Sequence, residues 1–282
     1  MSTTDFRQLA KYLELVERHP TRARALSIGD SWFQYPLRSF PDLQRALATT
    51  PLLRNRVMFL DDSYPGRDAD EVRGLIRRWQ RVARTLADRG KPFDLIALSL
   101  GGNDVIGQDF ARHLRRGPGV EADDLLWPWA DHIPEVAARH IDFGQLRATF
   151  ANIFEAYRMI IEMRNESAGE ATILAHTYAS VMPSSIGYQF LTFKAGPWVY
   201  GPATRLGLSV PEQKVLVDWL LESFHGLLMG VQASSFAGRF EILDTRRELA
   251  GVRWDNEIHP SAAGFRTLVR DHWEPAVLRA LS

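Results

Sequence analysis

The sequence contains no cysteine. That excludes disulfides, thiol catalysis and cysteine-ligated zinc. It has no run of the ~18 apolar residues that a membrane-spanning helix needs. The stretch Met1-Ser2-Thr3-Thr4-Asp5-Phe6-Arg7 is polar and lacks an apolar core of signal-peptide length. These absences point to a cytoplasmic protein, unless a leaderless route exports it. An excess of either charge is missing too. Lys+Arg and Asp+Glu both number 34, for a net charge of zero. A large electrostatic footprint for nucleic acid is therefore not expected. The pairs Arg77-Arg78, Arg115-Arg116 and Arg246-Arg247 sit among acids and read as solvated helix faces. There is no Gly-x-x-x-x-Gly-Lys phosphate loop, no Gly-x-Gly-x-x-Gly turn and no His-Glu-x-x-His. His19, His113, His132, His140, His225 and His272 show no metal-ligand spacing. No metal and no organic cofactor are expected.

What is present is an ordinary globular composition, 45% apolar and 24% charged over 282 residues. This length suits one large domain, 1–282, carrying insertions. Short apolar runs near Ala25–Ile28, Arg56–Leu60, Leu95–Leu100, Ala171–Ala175 and Phe240–Leu243 read as strands covered on both faces. Helical stripes separate them. One carries Val72, Ile76, Trp79, Val82 and Leu86, another Leu146, Phe150, Ile153, Tyr157 and Ile160, and a third Leu216, Trp219, Leu220, Leu227 and Leu228. A last helix is expected after Pro260. The alternation predicts a mostly parallel sheet with helices on both sides, and ligands outside the carboxyl ends of its strands. Ser31, Asn103 and His176 each follow a predicted strand. Two aromatic stretches interrupt the pattern, about 107–142 and about 182–210. They read as lids or pocket walls, or as covers for a sheet edge.

Three blocks carry chemistry. Gly29-Asp30-Ser31-Trp32 places a serine at a turn after a strand. Gly101-Gly102-Asn103-Asp104 follows another strand. Asp255-Asn256-Glu257-Ile258-His259-Pro260 offers a base near the end of the sequence. A serine hydroxyl needs such a base, and donors for the oxyanion it creates. Ser31 lacks the second glycine of a Gly-x-Ser-x-Gly elbow, which speaks against an α/β-hydrolase. Asp30 and Asp104 fit hydrogen bonds to loop backbone. Asp68, Asp70 and Glu71 fit a helix start.

In order and spacing these blocks resemble the SGNH (GDSL-type) hydrolase superfamily. The resemblance runs from Ile28 to about Phe265 and is weakest over the two insertions. It implies a three-layer α/β/α sandwich with a flavodoxin-like sheet. It also implies that Ser31 is the nucleophile and His259 the base. The oxyanion donors would be the backbone N–H groups of Ser31 and Gly66 and the side chain of Asn103. The family usually has Asp three residues before the histidine, whereas this sequence has Asn256 there and Asp255 one residue earlier. By motif match Asn256 supports His259. Asp255 and a backbone carbonyl remain alternatives. Trp32, Gly102, His176 and Trp198 are candidates for the substrate-binding wall, with His176 equally readable as a buried core histidine. The implied activity is hydrolysis of a small-molecule ester, acyl or lipid esters among them, through an acyl-serine. Carbohydrate acetyl esterase and lysophospholipase activities use the same blocks. A non-catalytic binding protein on this fold is the reading from another class.

Overall fold

The computed structural model describes residues 3–35, 42–115, 127–190, 192–234 and 236–282. The strands are β1 (Ala23–Gly29), β2 (Val57–Ser63), β3 (Leu95–Ser99), β4 (Thr172–His176), β5 (Tyr188–Phe190), β6 (Phe193–Ala195) and β7 (Phe240–Leu243). Five of them form a parallel sheet in the order β2-β1-β3-β4-β7, while β5 and β6 pair as a separate antiparallel ribbon. Every residue of β3 and β4 is buried, as apolar runs covered on both faces should be.

All five sheet strands coincide with the apolar runs. β2 differs at its end, continuing past Leu60 through Asp61, Asp62 and Ser63. The ladder explains this, because Ser27, Ile28 and Gly29 of β1 stay in register with those residues. The acids of this extension have partners: Asp62 accepts from Trp79 Nε1 and Arg67, and Asp61 Oδ1 from Ser63 N–H. The ribbon of β5 and β6 was not foreseen. Its strands are three residues each, too short to display an alternation.

The helices are α1 (Thr3–Arg18), α2 (Leu43–Thr49), α3 (Ala69–Asp88), α4 (Gly102–Val105), α5 (Glu135–His140), α6 (Phe143–Ser167), α7 (Tyr200–Arg205), α8 (Val210–Ala233), α9 (Ala262–Leu268) and α10 (Glu274–Ala280). α3, α6 and α8 pack side by side, while α2 packs on α9 and the π-helical turn Val269–Trp273 that joins α9 to α10. Helices thus flank the sheet. Their starts are capped locally. Asp68 accepts from Glu71 N–H at α3, Asp142 from Gln145 N–H at α6, and Ser209 with Glu212 forms a capping box at α8. Asp68 and Glu71 are thereby accounted for at a helix start. Among the described residues no helix is long and apolar enough to cross a membrane.

Of the first insertion, residues 116–126 lie outside the described residues. Trp127 is buried against Phe143, Phe150 and Trp219, and its Nε1 donates to Ser223 Oγ at 2.8 Å. This part therefore covers the α6–α8 face. The second insertion contains β5, β6 and α7.

The chain runs from β1 to β2 on one side of the sheet and then places β3 on the other side of β1. That reversal opens a crevice at the carboxyl ends of β1 and β3. Gly29 is in register with Ser63 and with Ser99. The loops carrying Ser31, Gly66 and Asn103 therefore leave the sheet at one level. The turn after β3 is tight. Gly101 has φ of 103°, and a Cβ there would lie 2.7 Å from the Phe224 ring. Gly101→Ala is expected to lower stability by at least about 2 kcal/mol, from backbone strain and overpacking together. Urea denaturation should show a lower midpoint at unchanged slope.

Candidate active site

The turn after β1 is held by Asp30. Its N–H continues the ladder to Ser99 O at 3.0 Å, and its carbonyl accepts from Phe33 and Gln34 N–H. Its Oδ1 accepts from Trp32 N–H at 3.0 Å and from Ser99 Oγ at 2.9 Å, while Tyr178 Oη donates to Oδ2 at 2.6 Å. Burial pushes the Asp30 carboxyl up to about 6 against these donors. Tyr178 reaches it from a left-handed backbone conformation, φ 58°, a strained geometry for a bulky residue. The turn leaves Ser31 only 7% exposed, with its Oγ 2.7 Å from His259 Nε2.

His259 comes from the loop between β7 and α9. Asn256 organises that loop. Its Oδ1 accepts from the N–H groups of Ile258 (3.1 Å) and His259 (3.0 Å), and lies 2.9 Å from His259 Nδ1. An amide oxygen only accepts, so the network assigns the proton to Nδ1 and leaves Nε2 bare towards Ser31. Asp255 and Asn256 N–H close the loop on His259 O, and Trp32 Nε1 donates to Ile258 O at 3.0 Å. Burial pushes His259 down to about 3. Asn256 is the residue against His259 Nδ1. Its Nδ2 donates to Tyr35 Oη at 2.9 Å, and the Tyr35 ring stands edge-on to the imidazole at 4.8 Å.

Asn103 is buried at the start of α4, and its Nδ2 donates to Arg67 O at 3.1 Å. Gly66 precedes Arg67 with φ of 83°. Among the described residues, neither Ser31 N–H nor Gly66 N–H has an acceptor. Asp104 Oδ1 accepts from Ala69 N–H at 3.0 Å, which ties the Asn103 turn to the Gly66 loop, and burial pushes its carboxyl up to about 7. Both motif aspartates thus hold loop backbone. No group of three or more His, Asp or Glu among the described residues is placed to hold a metal ion.

Three of the four candidates for the substrate wall lie in the core behind the Ser31 turn. His176 is fully buried, with Nε2 on Ser99 Oγ at 3.0 Å, and burial pushes it down to about 3. The Trp32 ring packs against His176, Tyr178 and Phe265. Gly102 lies under the Tyr178 ring, which a Cβ would meet at 2.6 Å. With Ser31 turned to His259, its neighbour Trp32 is sent to the opposite side, and His176 is needed there as a partner for Ser99. Trp198 does stand at the site, its ring 5.9 Å from the imidazole.

Two site residues escaped the sequence reading, Tyr35 and Glu257. Glu257 is buried, and its carboxylate accepts from the N–H groups of Val199 (2.9 Å), Tyr200 (2.6 Å) and Ser184 (3.4 Å). Its own N–H donates to Ile186 O at 2.9 Å. One residue of the histidine loop thereby holds the second insertion, and with it Trp198, beside His259. The charge inside the Asp255–Pro260 block was the only available signal.

No protein-family model matches the chain, and no curated protein matches it. Solved structures do. An extracellular lipase from Streptomyces rimosus is similar over 92% of this chain and 100% of its own, at 13% identity and TM-score 0.50. A phospholipase A1 from Streptomyces albidoflavus covers 92% and 99%, at 13% identity and TM-score 0.48. A carbohydrate esterase family 3 protein from Talaromyces cellulolyticus covers 92% and 98%, at 12% identity and TM-score 0.47. The likeness to the first shows a shared α/β/α fold, in line with the resemblance to SGNH hydrolases.

Glu257→Gln would turn an NH2 group towards backbone N–H donors. We expect a stability loss of about 1–3 kcal/mol. Hydrogen exchange should quicken at Ser184, Val199 and Tyr200 while β3 and β4 stay protected.

Proposed function

We propose that this protein is a serine hydrolase that cleaves small-molecule carboxylic esters through an acyl-serine intermediate. The observation that carries the reading is the Ser31 Oγ–His259 Nε2 distance of 2.7 Å, with Asn256 Oδ1 behind Nδ1 at 2.9 Å. The fold shared with an extracellular lipase supports the reaction class.

In this mechanism Ser31 Oγ attacks the ester carbonyl carbon while its proton passes to His259 Nε2. The carbonyl π pair moves onto oxygen. The donors for that oxyanion are the free N–H groups of Ser31 and Gly66 and the second hydrogen of Asn103 Nδ2, whose first is anchored on Arg67 O. His259 then gives the proton to the departing alkoxide. Water repeats the sequence on the acyl-serine and releases the acid. Trp198 lies beside the imidazole and suits an apolar acyl or aryl portion. Lipase, lysophospholipase and carbohydrate acetyl esterase substrates all meet the same machinery. The neutral Asn256 is the one feature that would suit a binding protein without activity.

A fluorophosphonate probe separates these readings. Labelling of the wild type that is lost in Ser31→Ala, together with loss of p-nitrophenyl butyrate hydrolysis, is the expected result. An unlabelled, folded wild type would count against the hydrolase and favour the binding reading.

The pH dependence has a definite sign. The working form of His259 is the neutral one, and burial pushes its pKa down to about 3. The base therefore stays available as pH falls. We expect kcat/KM to hold from pH 7 to below 5.5 while circular dichroism stays native. An acid limb centred near 6.5, the ordinary imidazole value, would count against burial as the governing influence.

A further inference from the structure

We propose that the Tyr35 hydroxyl is a positioning group that fixes which face of the Asn256 amide His259 meets, and so makes an asparagine workable at this place. The proposal rests on the hydrolase reading above for its role, and on hydrogen-bond accounting for its content.

A carboxylate behind a catalytic histidine has two equivalent oxygens and no wrong orientation. An amide has one acceptor and one donor end. If Asn256 turned its NH2 to the imidazole, Nδ1 would have to accept. The proton would then sit on Nε2, and Nε2 could no longer take the proton of Ser31. In serine proteases that fixation of the wrong tautomer costs about 10⁴ in kcat. Something must therefore hold the amide oxygen towards the ring.

Two sets of contacts do so here, one at each end of the amide. At the oxygen, the N–H groups of Ile258 and His259 donate at 3.1 and 3.0 Å. At the nitrogen, Tyr35 Oη accepts at 2.9 Å. The backbone donors alone leave the NH2 group buried without an acceptor, since Asn256 is 3% exposed. Tyr35 supplies that acceptor from four positions beyond the nucleophile. It is itself held, with its N–H on Asp42 Oδ2 at 3.4 Å and its ring edge-on to Tyr188. The geometry thus extends the line Ser31–His259–Asn256 by a fourth member that touches neither substrate nor the reacting atoms.

The test is a two-by-two set of variants assayed on p-nitrophenyl butyrate. Tyr35→Phe keeps the ring and removes only the acceptor. In the wild-type background we expect kcat to fall more than about tenfold, within the 10⁴ ceiling of a fully wrong tautomer, with KM little changed. In the Asn256→Asp background the same change should cost less than about threefold, because a carboxylate has no wrong end. Equal losses in both backgrounds would mean that Tyr35 serves packing alone and would overturn the proposal. A readout independent of activity accompanies the assay. Nitrogen-15 NMR of His259 should show the Nδ1–H tautomer in the wild type and a gain of the Nε2–H form in Tyr35→Phe. An Nε2–H wild type, or an unchanged Tyr35→Phe spectrum, overturns the proposal even if the double variant does not fold. If Ser31→Ala keeps full hydrolysis, the hydrolase reading fails separately, and the tautomer measurement still decides the role of Tyr35.

Discussion

One oxygen atom sets the order of the site. Asn256 Oδ1 accepts from two backbone N–H groups and faces the Nδ1 of the imidazole. Because that oxygen cannot donate, the direction of every hydrogen bond beyond it is fixed. Nδ1 carries the proton, Nε2 accepts, and Ser31 Oγ donates. The same contacts fold the loop from Asp255 to His259 into its closed form. An aspartate would add charge and hold the imidazolium more strongly. The amide contributes direction without charge, in surroundings where burial already keeps the ring neutral.

The fold was legible because its signals are local. Each sheet strand is a short apolar run, and α3, α6 and α8 carry stripes at helical spacing. Ser31 and Asn103 were legible for a related reason, since both lie a few residues past the end of a strand and the sheet brings strand ends together. His259 was readable only through its block, and it lies 2.7 Å from a residue 228 positions away. The choice between Asp255 and Asn256 was not settled by spacing, because both are near the histidine and only loop closure decides which side chain faces inward. Trp32 was read as a wall residue and lies in the core, and His176 was left open between the two, for a different reason. An aromatic residue beside a motif looks the same whether it lines a pocket or fills the core. Here the buried Asp30 carboxylate and Ser99 hydroxyl needed partners on the inner side, and that demand has no sequence period.

The histidine loop also works as a junction. Asn256 faces the imidazole, Glu257 gathers backbone N–H groups of the second insertion, and Ile258 O takes the Trp32 indole. Three consecutive residues thus join His259, the stretch bearing Trp198 and the Ser31 turn. The wall position of Trp198 and the position of His259 are consequently set by the same short stretch. This couples the placement of Trp198 to that of the Ser31–His259 contact.

The contact between Trp32 Nε1 and Ile258 O spans 226 positions, almost the whole sequence. Closing a loop of that length costs roughly 5 kcal/mol of chain entropy. The serine–histidine contact closes nearly the same loop, so once either forms the other follows at little further entropic cost. The indole is thus a fastener that holds two remote segments as neighbours. Without the segment after β7 docked, the turn bearing Ser31 has neither contact.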